Sequence, residues 1–264
     1  MSRLLIFGLG YTAKRIASAM EAHGWTVSAT GSAGDIDFTD SQSVLAGVES
    51  ASHILSSVPP DRKTGGDPVL ETYGEALAGR ALFYLSSTGV YGDAGGAWVD
   101  ESTPTVAETG AGRRNARAEA DKAWLNLGAR VFRLPGIYGP GRSALDRVKD
   151  GRARRIDLPR QVFSRVHVDD IASGVVAAMM QNAPPGAYNL GDDWPASGNA
   201  ITEHACALLG VEPPKMESLE EANLSEMARG FYAENRRVAN GKAKRVLGWR
   251  PNYPTYFEGL ASLL

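Results

Sequence analysis

Arg3-Leu-Leu-Ile-Phe-Gly8-Leu-Gly10-Tyr11-Thr12-Ala13 decides the fold. The aliphatic run reads as a buried strand, the glycines as a tight turn, and the residues after them as a helix. Ala13, Ile16, Ala17 and Met20 recur at i, i+3, i+4 and i+7, a single apolar stripe, and Gly24 stops it. Gly8-Leu-Gly10-Tyr-Thr-Ala13 fits G-x-G-x-x-G/A. In that pattern the first glycine makes the turn and the second lets the backbone approach a pyrophosphate. The small third residue lets the helix close on the strand, and the helix N-terminal amides face the phosphates. The spacing therefore predicts a dinucleotide site at Gly8, Gly10, Tyr11, Thr12 and Ala13.

Outward from this turn, strands and helices alternate with short polar breaks, the pattern of a parallel sheet. Strands are predicted at 25–30, 53–58, 81–85, 129–134 and 187–190, and helices at 115–127 and 171–180, the latter capped by Asp169 or Asp170. Asp61–Asp67 reads as a polar loop near the ligand edge. The expected architecture is one α/β, Rossmann-type, doubly wound domain over 1–264. Its small C-terminal substrate lobe is expected mainly from about 141–165 and 192–240. Arginines crowd the first of those segments.

The composition excludes several classes. With 264 residues, 43% hydrophobic and 22% charged, the chain suits a soluble enzyme, and a net charge of −2 gives no footprint for nucleic acid or an anionic membrane. No apolar run approaches the ~18 residues of a membrane span, and no signal peptide is read before the glycine turn. The single cysteine, Cys206, fits a reducing cytoplasm and a core position. Four scattered histidines offer no metal-ligand spacing. Neither a G-x-S-x-G elbow nor a phosphate loop is present.

The cofactor's identity is sought about 20 residues beyond the glycines, where an acid would hold the ribose 2′-OH of NAD. Ser28-Ala-Thr30-Gly-Ser32 stands there instead, and Asp35 comes later. Thr30 and Ser32 leave room for a 2′-phosphate, with Lys14 or Arg15 as a source of charge. The expectation is NADP, in preference to NAD.

Three later segments carry a resemblance. Leu85-Ser86-Ser87-Thr-Gly-Val90-Tyr91-Gly92-Asp93, Arg133-Leu-Pro135-Gly-Ile137-Tyr138-Gly-Pro140 and Val166-His167-Val-Asp-Asp170 follow the glycine turn in order. Together they resemble the extended short-chain dehydrogenase/reductase family, which contains nucleotide-sugar epimerases and dehydratases. Asp37-Phe38-Thr-Asp40 looks like its acidic turn after a third strand. Tyr188-Asn-Leu-Gly191 and Leu247-Gly-Trp-Arg-Pro251 look like its late strand and tail. The resemblance implies a cofactor lined by Asp37, Phe38, Ser56, Ser57, Ser86, Pro135 and Ile137, and it places Ser87 on the catalytic Ser/Thr.

The family's Tyr-x-x-x-Lys has no match. Arg113 falls on the tyrosine and Arg117 on the lysine, and Gly136 stands where the family often has asparagine. Arg117 can still donate to a ribose hydroxyl, but arginine stays protonated and is no general acid or base. The pattern is closest to the atypical members, which keep the fold and the cofactor loop. Tyr91 and Tyr138, each following a strand, are the candidate replacement proton donors. Arg142 and His167 are candidate substrate contacts, with Arg142 selecting an anion.

Two functions follow. One is an NAD(P)-dependent oxidoreductase or epimerase-like enzyme acting on a small, anionic carbonyl or alcohol. The other is a dinucleotide-binding sensor or scaffold without turnover. A homodimer through the 115–127 helix and Trp124 is a further expectation.

Overall fold

The computed structural model describes residues 2–108, 115–224, 229, 230 and 232–264. Its main sheet holds six parallel strands: β1 (Arg3–Phe7), β2 (Thr26–Ala29), β3 (His53–Ser56), β4 (Ala81–Ser87), β6 (Arg130–Leu134) and β10 (Gly186–Asn189). Their order is β10-β6-β4-β3-β1-β2. Three short parallel ladders lie outside the sheet: β5 (Trp98–Val99) with β12 (Arg237–Val238), β7 (Gly136–Tyr138) with β9 (Arg165–His167), and β8 (Arg155–Ile156) with β11 (Met216–Glu217).

The strands are covered on both faces, so their side chains alternate between two cores. Leu4 and Ile6 of β1 join one core and Leu5 and Phe7 the other; Phe83 and Leu82 of β4 divide the same way. The first core is closed by α1 (Tyr11–Ala22) through Ala13, Ile16, Ala17 and Met20, and by α6 (Val168–Met180) through Ile171, Val175 and Met179. The second is closed by α2 (Ser41–Ser50), α3 (Pro68–Tyr73) and α4 (Asn115–Asn126) through Val44, Val48, Val69, Tyr73 and Trp124. Each such aliphatic or aromatic side chain contributes about 1.5–3 kcal/mol on burial.

Crossing from β2 on one side of β1 to β3 on the other creates the topological switch point, where α/β sheets bind ligands beyond their carboxyl ends. The third strand implied by the resemblance is reduced to one parallel bridge, Thr30 with Ile36. A smaller core stands over this edge. There Ala144 and Leu145 of α5 (Ala144–Lys149) meet Ile201 and Ala205 of α7 (Gly198–Leu209), and Tyr256 and Leu260 of the Tyr256–Ala261 helix. The lobe is α5, α7 and the C-terminal helix packed on this core.

Two local expectations are corrected. The cap of α6 is His167, whose Nδ1 accepts from the Asp169 N–H at 3.3 Å, not Asp169 or Asp170. Trp124 is fully buried, stacked on Tyr84 at 5.3 Å and donating to Asp67 Oδ2 at 2.8 Å, so it cannot form a dimer surface. Among the described residues no helix is long and apolar enough to cross a membrane.

Candidate functional site

A cleft of about 1670 Å³ runs between the carboxyl ends of the main strands and the lobe. That exceeds the ~300–1,000 Å³ of ordinary small-ligand pockets and leaves room for a dinucleotide and a second molecule.

The glycine turn forms its lower wall. Gly8 has φ +85°, and a Cβ there would stand 2.9 Å from Val58 Cγ2, so only glycine fits. Its N–H donates to Thr30 Oγ1 at 3.2 Å, and its carbonyl accepts from Ser57 Oγ at 2.5 Å. Leu9 N–H donates to the Thr30 carbonyl at 2.9 Å. Gly10 then opens α1 with no side-chain cap and no acid in the first turn. A Cβ on Gly10 would meet nothing within 4 Å, and Gly10, Tyr11 and Thr12 line the cleft. The first amides of α1 therefore face open space with the positive end of the helix dipole behind them. A pyrophosphate fits this cradle.

Ser87 ends β4. Its Oγ accepts the Gly89 N–H at 3.1 Å, which leaves the hydroxyl proton for the cleft. Arg117, on α4, lines the same cleft and donates from Nη1 to the Tyr84 hydroxyl at 3.1 Å. Tyr11 donates its hydroxyl to the Pro140 carbonyl at 3.1 Å, and the Arg142 guanidinium lies 5.8 Å from its ring centre. This contact ties α1 to the lobe entrance. Ser57, Pro135, Ile137, Tyr138 and Arg142 also line the cleft; Arg113 lies outside the described residues.

The other predicted residues make these contacts within the protein. Thr30 is buried, and its Oγ1 accepts from the Gly8 N–H of the glycine turn. Ser56 is fully buried, its Oγ accepting from the Val58 N–H at 3.4 Å. Phe38 packs edge-on against Phe7 and Tyr73, and the exposed Asp37 carboxylate accepts twice from Thr39 at 2.8 Å. Those hydrogen bonds hold Asp37 below the usual carboxylate range. Ala13 is buried under the turn and Ser32 is exposed beyond β2. Arg15 pairs with Asp169 at 3.5 Å, on the flank facing α6.

Neither replacement tyrosine presents a free phenol to the cleft. Tyr91 donates to Asn189 Oδ1 at 2.8 Å and accepts from Arg133 at 3.1 Å, and burial pushes its pKa up to about 12. Tyr138 lines the cleft, yet its hydroxyl is buried against Gly259, and burial raises its pKa strongly. His167 is corrected as a substrate contact. It is 1% exposed, caps α6, and lies against the rings of Tyr138 and Tyr253 at 5.2 and 4.2 Å. Burial lowers its pKa.

Two features escaped the sequence. Arg133 makes a two-armed pair with buried Asp121, at 2.7 and 3.1 Å, and Ser86 donates to the same carboxylate at 2.6 Å. A charged residue in the run Val131-Phe-Arg-Leu134 was the available signal, because a buried charge demands a partner. The second feature is the cleft's charge. Arg62 and Arg117 line it below, Arg142, Arg147, Arg152, Arg154 and Arg165 from the lobe side, and Arg236 beside β12, against two acids, Asp146 and Glu234. Asp146 is engaged by Ser143 in a capping box, and Glu234 by Arg236 at 2.5 Å.

No family model matches the chain. It is 28% identical to Protein YeeZ of Escherichia coli (strain K12), over 96% of this chain and 97% of that one. It is 31% identical to a 3-diazoavenalumate denitrifying reductase of Streptomyces sp, over 62% of this chain and 55% of that one. Among solved structures, a functionally unknown conserved protein from Silicibacter pomeroyi DSS is 39% identical with a TM-score of 0.87, covering 100% of this chain and 98% of that one. Two others share the fold. A putative NAD-dependent epimerase/dehydratase from Methylobacillus flagellatus is 22% identical with a TM-score of 0.77, covering 99% and 97%. The human epimerase family protein SDR39U1, solved with NADPH, is 16% identical with a TM-score of 0.76, covering 99% and 98%.

Proposed function

The chain belongs to the family of the Silicibacter pomeroyi protein, and from that premise we propose that it is an atypical short-chain dehydrogenase/reductase related to the extended family, an NAD(P)-dependent oxidoreductase or epimerase-like enzyme acting on a small anionic substrate. One observation carries this: the uncapped N-terminus of α1, Ser87 and Arg117 converge on a single cleft whose charged lining is mostly arginine. A bound nicotinamide would supply or take up the hydride. Gly10, Tyr11 and Thr12 offer backbone amides to its pyrophosphate, and Arg117 offers donors to its ribose. Ser87 holds a proton at Oγ, directed at the substrate atom that gains negative charge. The guanidiniums stabilise that charge without titrating. Hydride acceptors that need little help from a general acid suit such a site best, and the reductase relative, whose substrate is a diazo compound by name, agrees with this.

NADP is the preferred form. The Asp35 carboxylate folds back to accept the Ala29 N–H at 2.7 Å, which occupies the acid nearest the ribose edge. The sensor reading is favoured by one observation, that the hydroxyls of Tyr91 and Tyr138 both point away from catalysis.

Calorimetric titration with NADPH and NADH, followed by cofactor consumption against a panel of anionic carbonyl and diazo compounds, tests the proposal. Tight NADPH binding with substrate-dependent oxidation that Ser87→Ala abolishes is the expected result. Binding without turnover on any compound selects the sensor, and no binding of either cofactor overturns both.

A further inference from the structure

Arg165 is out of balance with its surroundings. It sits on β9 in the cleft wall, and its Nη1 donates to the carbonyls of Phe163 and Ala196, both at 2.9 Å. Among the described residues it has no carboxylate within 4 Å. Burial pushes its pKa down to about 10, and the nearby charge of Arg147 pushes in the same direction. The carboxyl that acts on it most strongly, Asp192, makes no ion pair with it within 4 Å, and burial raises its own pKa to about 8. Arg147 reaches the cleft from the last turn of α5, also without a carboxylate partner among the described residues. Two guanidiniums thus face one space, with backbone carbonyls holding one of them in place.

A half-buried guanidinium with only backbone carbonyls as partners is favoured by an anion beside it, and Arg presents a planar fork matched to an oxyanion. Beside this pair, Phe163 and Tyr232 meet edge-to-face at 5.7 Å and line the same cleft, with the Arg165 guanidinium 5.7 Å from the Phe163 ring centre. The wall combines one guanidinium held by backbone carbonyls, a second one that is exposed, and two aromatic rings.

We propose that Arg147 and Arg165 form an oxyanion subsite in the lobe wall, taking a carboxylate or phosphoryl group of the substrate while its aromatic or apolar body rests on Phe163 and Tyr232. This rests on the reading of the lobe side of the cleft as the substrate side. It names the substrate's class: a compound with one terminal oxyanion on a flat body.

The test is a ligand-observed NMR titration of the full chain with benzoate, phenyl phosphate, acetate and uncharged benzamide, together with an NADPH titration. Benzoate or phenyl phosphate is expected to bind roughly tenfold more tightly than benzamide, the worth of one charged hydrogen-bonded contact. Whichever of the two is tighter identifies the group. Acetate, without the ring, is expected to be severalfold weaker than benzoate. Arg147→Ala should reduce the oxyanion affinity about five- to tenfold and leave NADPH binding unchanged. Arg165→Lys, which keeps the charge but not the fork, should weaken it less.

Benzamide binding as tightly as both oxyanions, or oxyanion affinity indifferent to Arg147→Ala, overturns the subsite. Acetate matching benzoate overturns the apolar rest. A chain that binds NADPH but no aryl oxyanion loses only the subsite, whereas one that binds benzoate but no dinucleotide loses only the cofactor reading.

Discussion

The two walls of the cleft present positive charge by different means. On the sheet side it comes first from backbone, the amides that open α1 at Gly10 with no cap and no acid in the first turn, beside Arg62 and Arg117. Three hydroxyls there are withdrawn into scaffolding, Thr30 and Ser57 into the glycine turn and Ser86 into the Asp121–Arg133 pair. On the lobe side the charge is carried by guanidiniums on a short helix and strand, several of them exposed. A wall of backbone is rigid and generic and suits a phosphate shared by all dinucleotides. A wall of arginines is adjustable and selects by where the fork points.

The largest expected effect tests whether the sheet wall depends on its hidden ion pair. Asp121→Ala leaves Arg133 buried and unpaired, which costs about 3–5 kcal/mol and lowers Tm by roughly 8–15 °C in a domain of this size. Arg142→Ala, an exposed substitution on the lobe wall, should leave Tm within about 1 °C and weaken only the binding of anions. Equal losses of Tm in the two variants, measured by calorimetry, would erase the distinction between a scaffolded and an adjustable wall.

Gly10→Val sharpens the same contrast from within the turn. Its side chain enters space empty of protein, so folding should be nearly unchanged while NADPH affinity falls about 100-fold, close to 2.7 kcal/mol. Gly8→Val should instead unfold the turn, because the backbone is left-handed and Val58 is in the way. Thermal melts beside NADPH titrations separate them. A Gly10→Val chain with wild-type affinity would mean that the cradle holds no pyrophosphate.

Behind the lobe wall, Asp192 supplies a pH signature that the sheet wall lacks. Its pKa rises from 3.8 to about 8 on folding, through burial, so the folded chain binds more protons than the unfolded one between those values. Stability therefore falls as pH rises from about 4 to about 8, by an order of a few kcal/mol. Asp192→Asn keeps the neutral form and should flatten that slope in urea melts taken from pH 5 to 8.5. An unchanged slope would mean that Asp192 stays ionised and balances Arg165 after all.

The sheet wall was legible in the sequence because local rules build it. Glycine spacing, an apolar strand and a helical stripe specify the turn, and the order of motifs specifies the sheet. What the spacing could not say is which polar side chains remain free. Thr30, Ser86 and Tyr91 stand at plausible positions, yet each is claimed by a partner 22 to 98 residues away, through contacts that exist only after folding. His167 looked like a pocket residue and became a helix cap for the same reason. The lobe's arginine density was visible. The orientation of Arg147 and Arg165 toward one space was not, because it depends on how α5 and β9 pack.

Tyr91 makes the smallest prediction and the most direct one about chemistry. If its role is structural, Tyr91→Phe removes a donor to Asn189 and an acceptor for Arg133, costs about 1–2 kcal/mol, and leaves NADPH affinity and any turnover within about twofold. A phenol whose pKa is about 12, with both hydrogen-bonding roles engaged, transfers protons poorly at neutral pH. Loss of turnover without loss of stability would show that the network opens during the reaction, and it would return the missing proton donor to the sheet wall. Retained turnover leaves Ser87 and the guanidiniums to stabilise the developing charge. The family's phenol would then have been replaced by fixed charge rather than by a relocated tyrosine.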